Sequence, residues 1–175
     1  MIRLANSGDI DAVTKSYEEL LTYEESCGTS CNWQKGVYPT RETAVKGCAA
    51  QTLYVKYENE VLCASMILNH DQPEAYQTID WLYPAPPDKV LVLHTLCIPP
   101  SAAGKGLGKE MTRFALDLAK KTSCTVIRLD TWAKNRRAAG LYQSMGFRFA
   151  GSAEVMHQGV IPEEMIFFEY RLDPR

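Results

Sequence analysis

Glycine at positions 104, 106 and 108 marks the segment of this sequence best suited to hold a ligand. The apolar run KVLVLHTLCI precedes these glycines and predicts a buried central strand over residues 89–98, and the residues that follow have the spacing of an amphipathic helix. The first N–H groups of a helix lack intrahelical partners and the helix dipole favours an anion, while a residue without a side chain lets that anion reach the backbone. We therefore expect a phosphate group here, and a tight turn that needs positive φ is the alternative.

The spacing of the glycines does not match the two commonest phosphate-binding loops. A P-loop needs four residues between its first glycine and a Gly-Lys-Ser/Thr, but only three separate Gly104 from Gly108, and Glu110 stands where the hydroxyl residue belongs. A GxGxxG dinucleotide fingerprint would need glycine where Lys109 stands, and it would follow the first strand of a doubly wound sheet. A nucleotide-binding protein is therefore disfavoured.

A second motif, NRRAAGLYQSMGF, follows about 30 residues later. Together with LHTLCIPPSAAGKGLG, it resembles the two core motifs of the GNAT superfamily of N-acetyltransferases: a strand ending in Val or Ile and Pro, then (Gln/Arg)xxGxGxG, and later NxxAxxLYxxxGF. Ser101 departs from that pattern, since the family usually has Gln or Arg there. The second motif matches at Asn135, Ala138, Leu141, Tyr142, Gly146 and Phe147.

The resemblance implies acetyl-CoA as cosubstrate, without a metal. Its pantetheine arm would pair with the end of the central strand and contact Asn135, and Tyr142 would lie near the CoA sulfur. Lys105 and Lys109 could add positive charge in place of the missing Gln or Arg. The expected contacts of acetyl-CoA along the strand and the glycine-rich segment are Leu96, Cys97, Ile98, Ala103, Gly104, Lys105, Gly106, Leu107, Gly108 and Lys109.

Acetyl transfer from a thioester to an amine needs an unprotonated amine, stabilisation of the oxyanion and a proton for the departing thiolate. We expect Tyr142 to donate that proton. His94 is the preferred general base because it shares a strand face with Leu96 and has a pKa suited to neutral pH, although a lone His on an apolar strand is more often structural. Asp80 is the competing base or amine-binding carboxylate. A backbone N–H near Leu96 or Cys97 would stabilise the oxyanion.

An aromatic cluster is expected on the acceptor side, formed by residues 76–83 together with the segment between the first two helices, the region that varies most within this superfamily. The predicted substrate-binding residues are Trp33, Tyr38, Asp80 and Trp81, with core or loop packing as the alternative for each. The sequence therefore predicts an N-acetyltransferase in which a primary amine of a small or amino-acid-like molecule attacks acetyl-CoA directly in a ternary complex. A peptide or protein amine stays possible. The alternative class is a noncatalytic acyl-CoA-binding or sensory module of the same fold.

The elements that position these residues follow from apolar spacing and capping signals. Met1–Leu4 predicts a strand, and two β-rich runs around residues 58–60 predict a hairpin. Ser7 is expected to cap the first helix, Thr40 the second and Asn135 the fourth, which Gly146 is expected to close. The order β, α, α, β, β, β, α, β, α, β, β predicts an α/β fold with a central mixed sheet of about six to seven strands flanked by about four helices. We expect one domain over 1–175, GNAT-like with a splayed central strand pair.

Composition excludes several other classes of protein. A net charge of −2 lacks the basic excess of a nucleic-acid binder. There is no CxxC pair among the six cysteines, so we expect reduced thiols and no metal site. The sequence has neither a signal peptide nor an apolar window of membrane-spanning length, so a cytoplasmic protein without membrane attachment is expected. A monomer and a homodimer both remain open.

Overall fold

The structure, a computed structural model, describes residues 1–28 and 30–172. Within these residues, seven strands and four helices follow one another in the predicted order, which confirms the predicted fold class. The strands are β1 (Ile2–Leu4), β2 (Leu53–Glu58), β3 (Val61–Asn69), β4 (Val90–Cys97), β5 (Val126–Trp132), β6 (Arg148–His157) and β7 (Ile161–Arg171). The helices are α1 (Ile10–Cys27), α2 (Arg41–Ala49), α3 (Leu107–Lys121) and α4 (Arg136–Ser144).

The strands form a mixed sheet in the order β1-β2-β3-β4-β5-β7-β6. Antiparallel pairing joins β1 to β2, β2 to β3, β5 to β7 and β6 to β7. β4 pairs with β5 in parallel, with Val90 opposite Val126 and Leu93 opposite Leu129. The glycine-rich segment directly follows β4, which is the central strand of the sheet and a member of this parallel pair.

The described chain divides into two compact units, each with its own core. The first comprises residues 1–28, 33–68 and 94–114, and the second comprises residues 30–32, 69–93 and 115–172. The core of the first unit includes Val13, Tyr17, Ala44, Leu53, Val55, Leu62, Ile67 and Cys97. The core of the second includes Tyr76, Ile79, Val90, Val92, Met165 and Phe167. A single domain over 1–175 stays a prediction.

The N-terminal cap of the first helical segment differs from the prediction. Asn6, not Ser7, is the capping residue: its side-chain oxygen accepts a hydrogen bond from Gly8 N–H at 2.9 Å, and Asp9 accepts one from Asn6 N–H at 2.8 Å. This reciprocal capping box opens a short 3₁₀ turn over Ser7–Asp9 that leads into α1. The predicted cap at Ser7 is therefore wrong.

The carboxylate of Asp9 ties this cap to β1 and β2. Asp9 accepts hydrogen bonds from Arg3 at 2.7 and 2.9 Å and from the Tyr57 hydroxyl at 2.9 Å, besides the one from Asn6. Arg3 above all, then Asn6 and Tyr57, lower the pKa of this carboxyl to about 2 against the opposing effect of burial. The charged carboxylate therefore stabilises the first unit.

Asp9→Asn is expected to lower the free energy of unfolding at pH 7 by about 2 kcal/mol, because the pKa of Asp9 is lower in the folded than in the unfolded protein. Since the folded pKa is the lowered one, this stabilisation is present above the ordinary pKa and is lost as the pH falls towards about 2. Urea denaturation should give a difference in the free energy of unfolding between wild type and variant at pH 7. About half of that difference should be lost at pH 3.

The matched control for this prediction is Asp11→Asn. The Asp11 side chain is 86% exposed and pairs with Arg41 at 2.8 Å, so its loss should change the free energy of unfolding by less than about 1 kcal/mol. If Asp9→Asn lowers the free energy of unfolding equally at pH 7 and pH 3, the charge of the Asp9 carboxylate does not have the stabilising role assigned to it.

Three other predicted helix boundaries are confirmed. Thr40 precedes α2, and its N–H donates to Thr43 Oγ1 at 3.0 Å. Asn135 caps α4 by accepting a hydrogen bond from Ala138 N–H at 3.0 Å. Gly146 follows the end of α4 with φ +89°, the left-handed conformation that closes a helix. Among the helices described, none has the length and apolarity needed to span a membrane.

Candidate active site

The glycine-rich segment connects β4 to α3 and combines open space with backbone donors. Gly104 and Gly106 have φ values of +81° and +74°, and a Cβ placed on either would meet no atom within 4 Å. α3 begins at Leu107, and Glu110 N–H donates to the Gly106 carbonyl oxygen at 3.2 Å. A helix supplies no intrahelical acceptor for its first N–H groups, so those at residues 107–109 are suited to bind an anion. The segment fits a pyrophosphate group.

Side chains around the glycines supply positive charge at the surface. Ala103, Lys105 and Lys109 are exposed. Ser101 is exposed as well, and its N–H donates to the Glu19 carboxylate of α1 at 2.7 Å. The backbone donor of Ser101 is thus already bonded within the first unit, and Lys105 and Lys109 are the nearby cations along the chain.

The C-terminal half of β4 has one half-buried face. His94 and Leu96 of β4 and Ile98 directly after it are half-buried, while Thr95 is buried. Thr95 has φ +50°, a left-handed conformation that β-branched residues rarely adopt. A residue of this conformation inside a strand interrupts the regular alternation of backbone donors and acceptors. The apolar run KVLVLHTLCI predicts a regular strand and does not indicate this conformation.

The side chain of Cys97 faces α1. Its sulfur lies 3.8 Å from the Ser16 carbonyl oxygen and 3.9 Å from Ser16 Oγ. Burial raises the pKa of the Cys97 thiol to about 12, with smaller contributions from the charges of Glu19 and Glu24. The thiol is therefore protonated at neutral pH and inert as a nucleophile. Cys97 can reach a ligand on the other side of the strand only through its backbone.

Two predicted acceptor residues contact each other in the first unit. The rings of Trp33 and Tyr38 meet edge to face, with centroids 5.8 Å apart. Trp33 also packs against the core of that unit. The Tyr38 hydroxyl forms a hydrogen bond with Thr95 Oγ1, so it joins the segment between α1 and α2 to the left-handed residue of β4.

Tyr142 lies in the second unit, where aromatic rings surround it. Its ring contacts those of Phe147 and Phe168, with centroid distances of 5.7 and 6.2 Å. Burial, and secondarily the charge of Asp130, raise the pKa of the Tyr142 phenol well above its usual value. Tyr142 therefore keeps its proton at neutral pH, as a proton donor must.

The second unit also contains a buried phenol and carboxylate pair that the sequence analysis missed. The Tyr76 hydroxyl donates to Asp130 Oδ1 at 2.6 Å, and burial together with this carboxylate raises the pKa of Tyr76 well above its usual value. Asp130 lies on β5 and acts electrostatically on both Tyr76 and Tyr142. The one available signal was an acidic residue within the apolar strand TVIRLDTW.

Trp81 and Asp80 are adjacent in sequence but differ in environment. The Trp81 indole donates to the Tyr76 carbonyl oxygen at 2.8 Å, and its ring packs on Tyr76 and Phe167. The Arg128 guanidinium lies over the same ring, 4.2 Å from its centroid. Asp80 is exposed. Trp81 thus packs against the core of the second unit, whereas the Asp80 side chain is accessible to solvent.

In the part of the chain that the structure describes, no group of three His, Cys, Asp or Glu side chains is arranged to hold a metal ion.

Comparison with known proteins identifies the class to which this fold and glycine-rich segment belong. An acetyltransferase of the GNAT family from Streptococcus agalactiae superimposes with a TM-score of 0.83 at 21% identity, covering 99% of this chain and 96% of that one. The Salmonella typhimurium protein yncA, solved with its cofactor acetyl-CoA, gives a TM-score of 0.71 at 18% identity, covering 100% and 95%. Both likenesses show the fold.

The family follows from the sequence match. The profile of the acetyltransferase (GNAT) family matches residues 17–147, so the chain belongs to that family. Mycothiol acetyltransferase of Renibacterium salmoninarum is 33% identical over 88 residues, which are 48% of this chain and 26% of that protein. This chain thus spans about a quarter of that relative's length. The predicted acetyltransferase (GNAT) family is confirmed.

Proposed function

We propose that the protein transfers the acetyl group of acetyl-CoA to a primary amine of a small or amino-acid-like molecule, by direct attack of the amine in a ternary complex. The observation that carries this proposal is the pair of left-handed glycines, Gly104 and Gly106, open to solvent before the N-terminus of α3. These residues leave room for a pyrophosphate group at unpaired helix donors. Following the family pattern, the pantetheine arm would run along Leu96–Ile98 and contact Asn135.

We assign the two proton transfers to two residues, with Tyr142 as the acid and His94 as the base. Tyr142 would donate its proton to the CoA thiolate as the carbon–sulfur bond breaks, since burial keeps its phenol neutral. His94 would take the proton that the attacking amine loses, and its half-buried position on β4 supports this role. Asp80, being exposed, would attract the cationic form of the amine. Trp33, Tyr38 and Trp81 are the proposed aromatic contacts of the acceptor side.

We also propose a cytoplasmic protein, monomeric or homodimeric, that binds neither nucleic acid nor membranes. The thiols of Cys63, Cys97 and Cys124 are free and buried, which agrees with a reducing compartment. The net charge of −2 supports a small-molecule partner over a nucleic acid.

The test of the cosubstrate site is a calorimetric titration of acetyl-CoA into wild type and Gly106→Glu. The wild type should bind one equivalent. The variant should bind at least about tenfold more weakly, because any side chain at φ +74° is strained and a carboxylate there repels the phosphates. A thiol-release screen over primary amines and amino acids then identifies the acceptor.

Gly159→Glu is the matched control for the titration. Gly159 lies in the turn between β6 and β7 with φ +73°, and a Cβ there would also meet no atom within 4 Å, so this variant carries the same strain and the same charge. Its affinity for acetyl-CoA should equal that of the wild type. Equal affinities for all three proteins would mean that the glycines serve only the turn.

A further inference from the structure

Thr95 has a backbone conformation that its side chain disfavours. Among the described residues other than glycine with positive φ, it is the β-branched one, and it lies inside a strand while the others lie in turns or loops. A β-branched side chain at φ +50° crowds its own backbone, so such a conformation persists only where neighbouring groups hold it. Thr95 is also buried, so water does not compensate for the strain.

The group that contacts the Thr95 side chain is the hydroxyl of Tyr38. The hydrogen bond joins Tyr38 to Thr95 Oγ1 across 57 residues of sequence, and Thr95 is only 7% exposed. The Tyr38 ring is itself held edge to face by Trp33. Tyr38 is therefore oriented towards β4, although the sequence analysis assigned it to the acceptor.

The conformation of Thr95 decides the direction of the backbone that follows it. Leu96 and Cys97 come directly after this residue, and a left-handed residue in a strand rotates the next peptide groups out of the regular ladder. If acetyl-CoA binds along β4, the N–H near Leu96 or Cys97 is the donor expected to bind the thioester carbonyl oxygen. The direction of these peptide groups would therefore change if Thr95 relaxed to an extended conformation.

We propose that Tyr38 is a positioning residue: its hydroxyl holds Thr95 in the left-handed conformation and so aims the N–H groups after it at the thioester carbonyl. The inference rests on the proposed function, because it assumes that acetyl-CoA binds along β4. This role of the Tyr38 hydroxyl is additional to the proposed contact of the Tyr38 ring with the acceptor, since the hydroxyl acts through the backbone of another residue.

Calorimetric titrations with acetyl-CoA and with CoA test this proposal without a known acceptor. CoA lacks the carbonyl, so the ratio of its Kd to that of acetyl-CoA measures the carbonyl contact. We expect acetyl-CoA to bind the wild type about fivefold more tightly, the size of one net hydrogen bond. Tyr38→Phe and Thr95→Val should each reduce this ratio to about one while leaving the Kd of CoA within about twofold.

Thr95→Gly is the variant that distinguishes positioning from a structural role. It lacks the same hydrogen bond as Thr95→Val, but glycine adopts positive φ without strain, so the ratio should stay close to that of the wild type. Adding Tyr38→Phe to Thr95→Gly should leave the ratio of the two Kd values unchanged.

Three outcomes would overturn the proposal. A wild-type ratio of one would mean that the backbone does not bind the carbonyl. A ratio lost in Thr95→Gly as in Thr95→Val would mean that the side chain, not the backbone conformation, matters. An unchanged ratio in Tyr38→Phe would mean that the Tyr38 hydroxyl does not position Thr95. Failure of the wild type to bind either ligand would instead contradict the proposed function itself.

Discussion

Tyr142→Phe is expected to lower kcat for acetyl transfer about 100-fold or more, while acetyl-CoA affinity stays within about twofold of the wild type. The thiolate of CoA needs a proton as it leaves, and the buried Tyr142 phenol retains one at neutral pH because its pKa is raised. Phenylalanine fills the same space between Phe147 and Phe168 without that proton. Steady-state thiol release with the acceptor from the amine screen, beside calorimetric acetyl-CoA binding, measures both quantities.

The pH dependence of kcat gives a second check on the same residue. Because burial, and then Asp130, raise the pKa of Tyr142, its ionisation should cause no loss of kcat between pH 7 and about pH 9.5. A fall of kcat in this range that disappears in Tyr142→Phe would contradict this assignment.

Tyr23→Phe is the control for Tyr142→Phe. Tyr23 lies on α1 and is 53% exposed, so loss of its hydroxyl should leave kcat unchanged. An unchanged kcat in Tyr142→Phe would mean that water or another group protonates the thiolate. A wild type that binds acetyl-CoA but releases no CoA with any amine would favour the noncatalytic module.

Features encoded in short stretches of sequence could be predicted. The glycine-rich segment and the cap at Asn135 each depend on a few consecutive residues, and Gly146 closes α4 because glycine readily takes the left-handed conformation. The prediction of Ser7 as a cap is wrong because the neighbouring Asn6 is also of a residue type that caps helices. The capping box with Asp9 decides between them.

Features that join distant parts of the chain could not be predicted in the same way. The bond between Tyr76 and Asp130 spans 54 residues, and nothing near either residue indicates the other. The left-handed Thr95 lies in an apolar run that predicts a regular strand, because propensity favours β-branched residues there. The contacts of Trp81 with Tyr76, Phe167 and Arg128 could not be predicted either, and its place on the acceptor side stays a prediction.

The buried carboxylate of Glu169 is a further group whose contacts with distant residues could not be predicted from the sequence. These contacts stabilise the second unit. Glu169 on β7 is fully buried and accepts hydrogen bonds from the N–H groups of Leu82 and Tyr83 at 2.9 and 3.3 Å and from Arg148 at 2.7 Å. Its charge also opposes the lowering of the pKa of Arg128 by burial. One side chain thus fixes the loop before β4 and supports a buried cation.

Glu169→Ala is expected to lower the free energy of unfolding by about 3 kcal/mol, because it removes the acceptor of the Leu82 and Tyr83 N–H groups and leaves the buried charge of Arg128 without this carboxylate. Glu169→Gln should cost less, since its amide oxygen can still accept one of these hydrogen bonds. Chemical denaturation at pH 7, with a two-state transition fitted to each protein, measures the difference in the free energy of unfolding between each variant and the wild type.

Glu164→Ala on the same strand is the control for Glu169→Ala. Glu164 is exposed and lies opposite Glu154 of β6, so its removal relieves a like-charge pair and should leave stability unchanged or slightly higher. The loop that Glu169 holds carries Asp80, so Glu169→Gln should also raise KM for the amine more than it lowers kcat, if Asp80 attracts the substrate. Equal denaturation midpoints for Glu169→Ala and Glu164→Ala would show that the loop is held by Arg128 and Trp81 without the carboxylate.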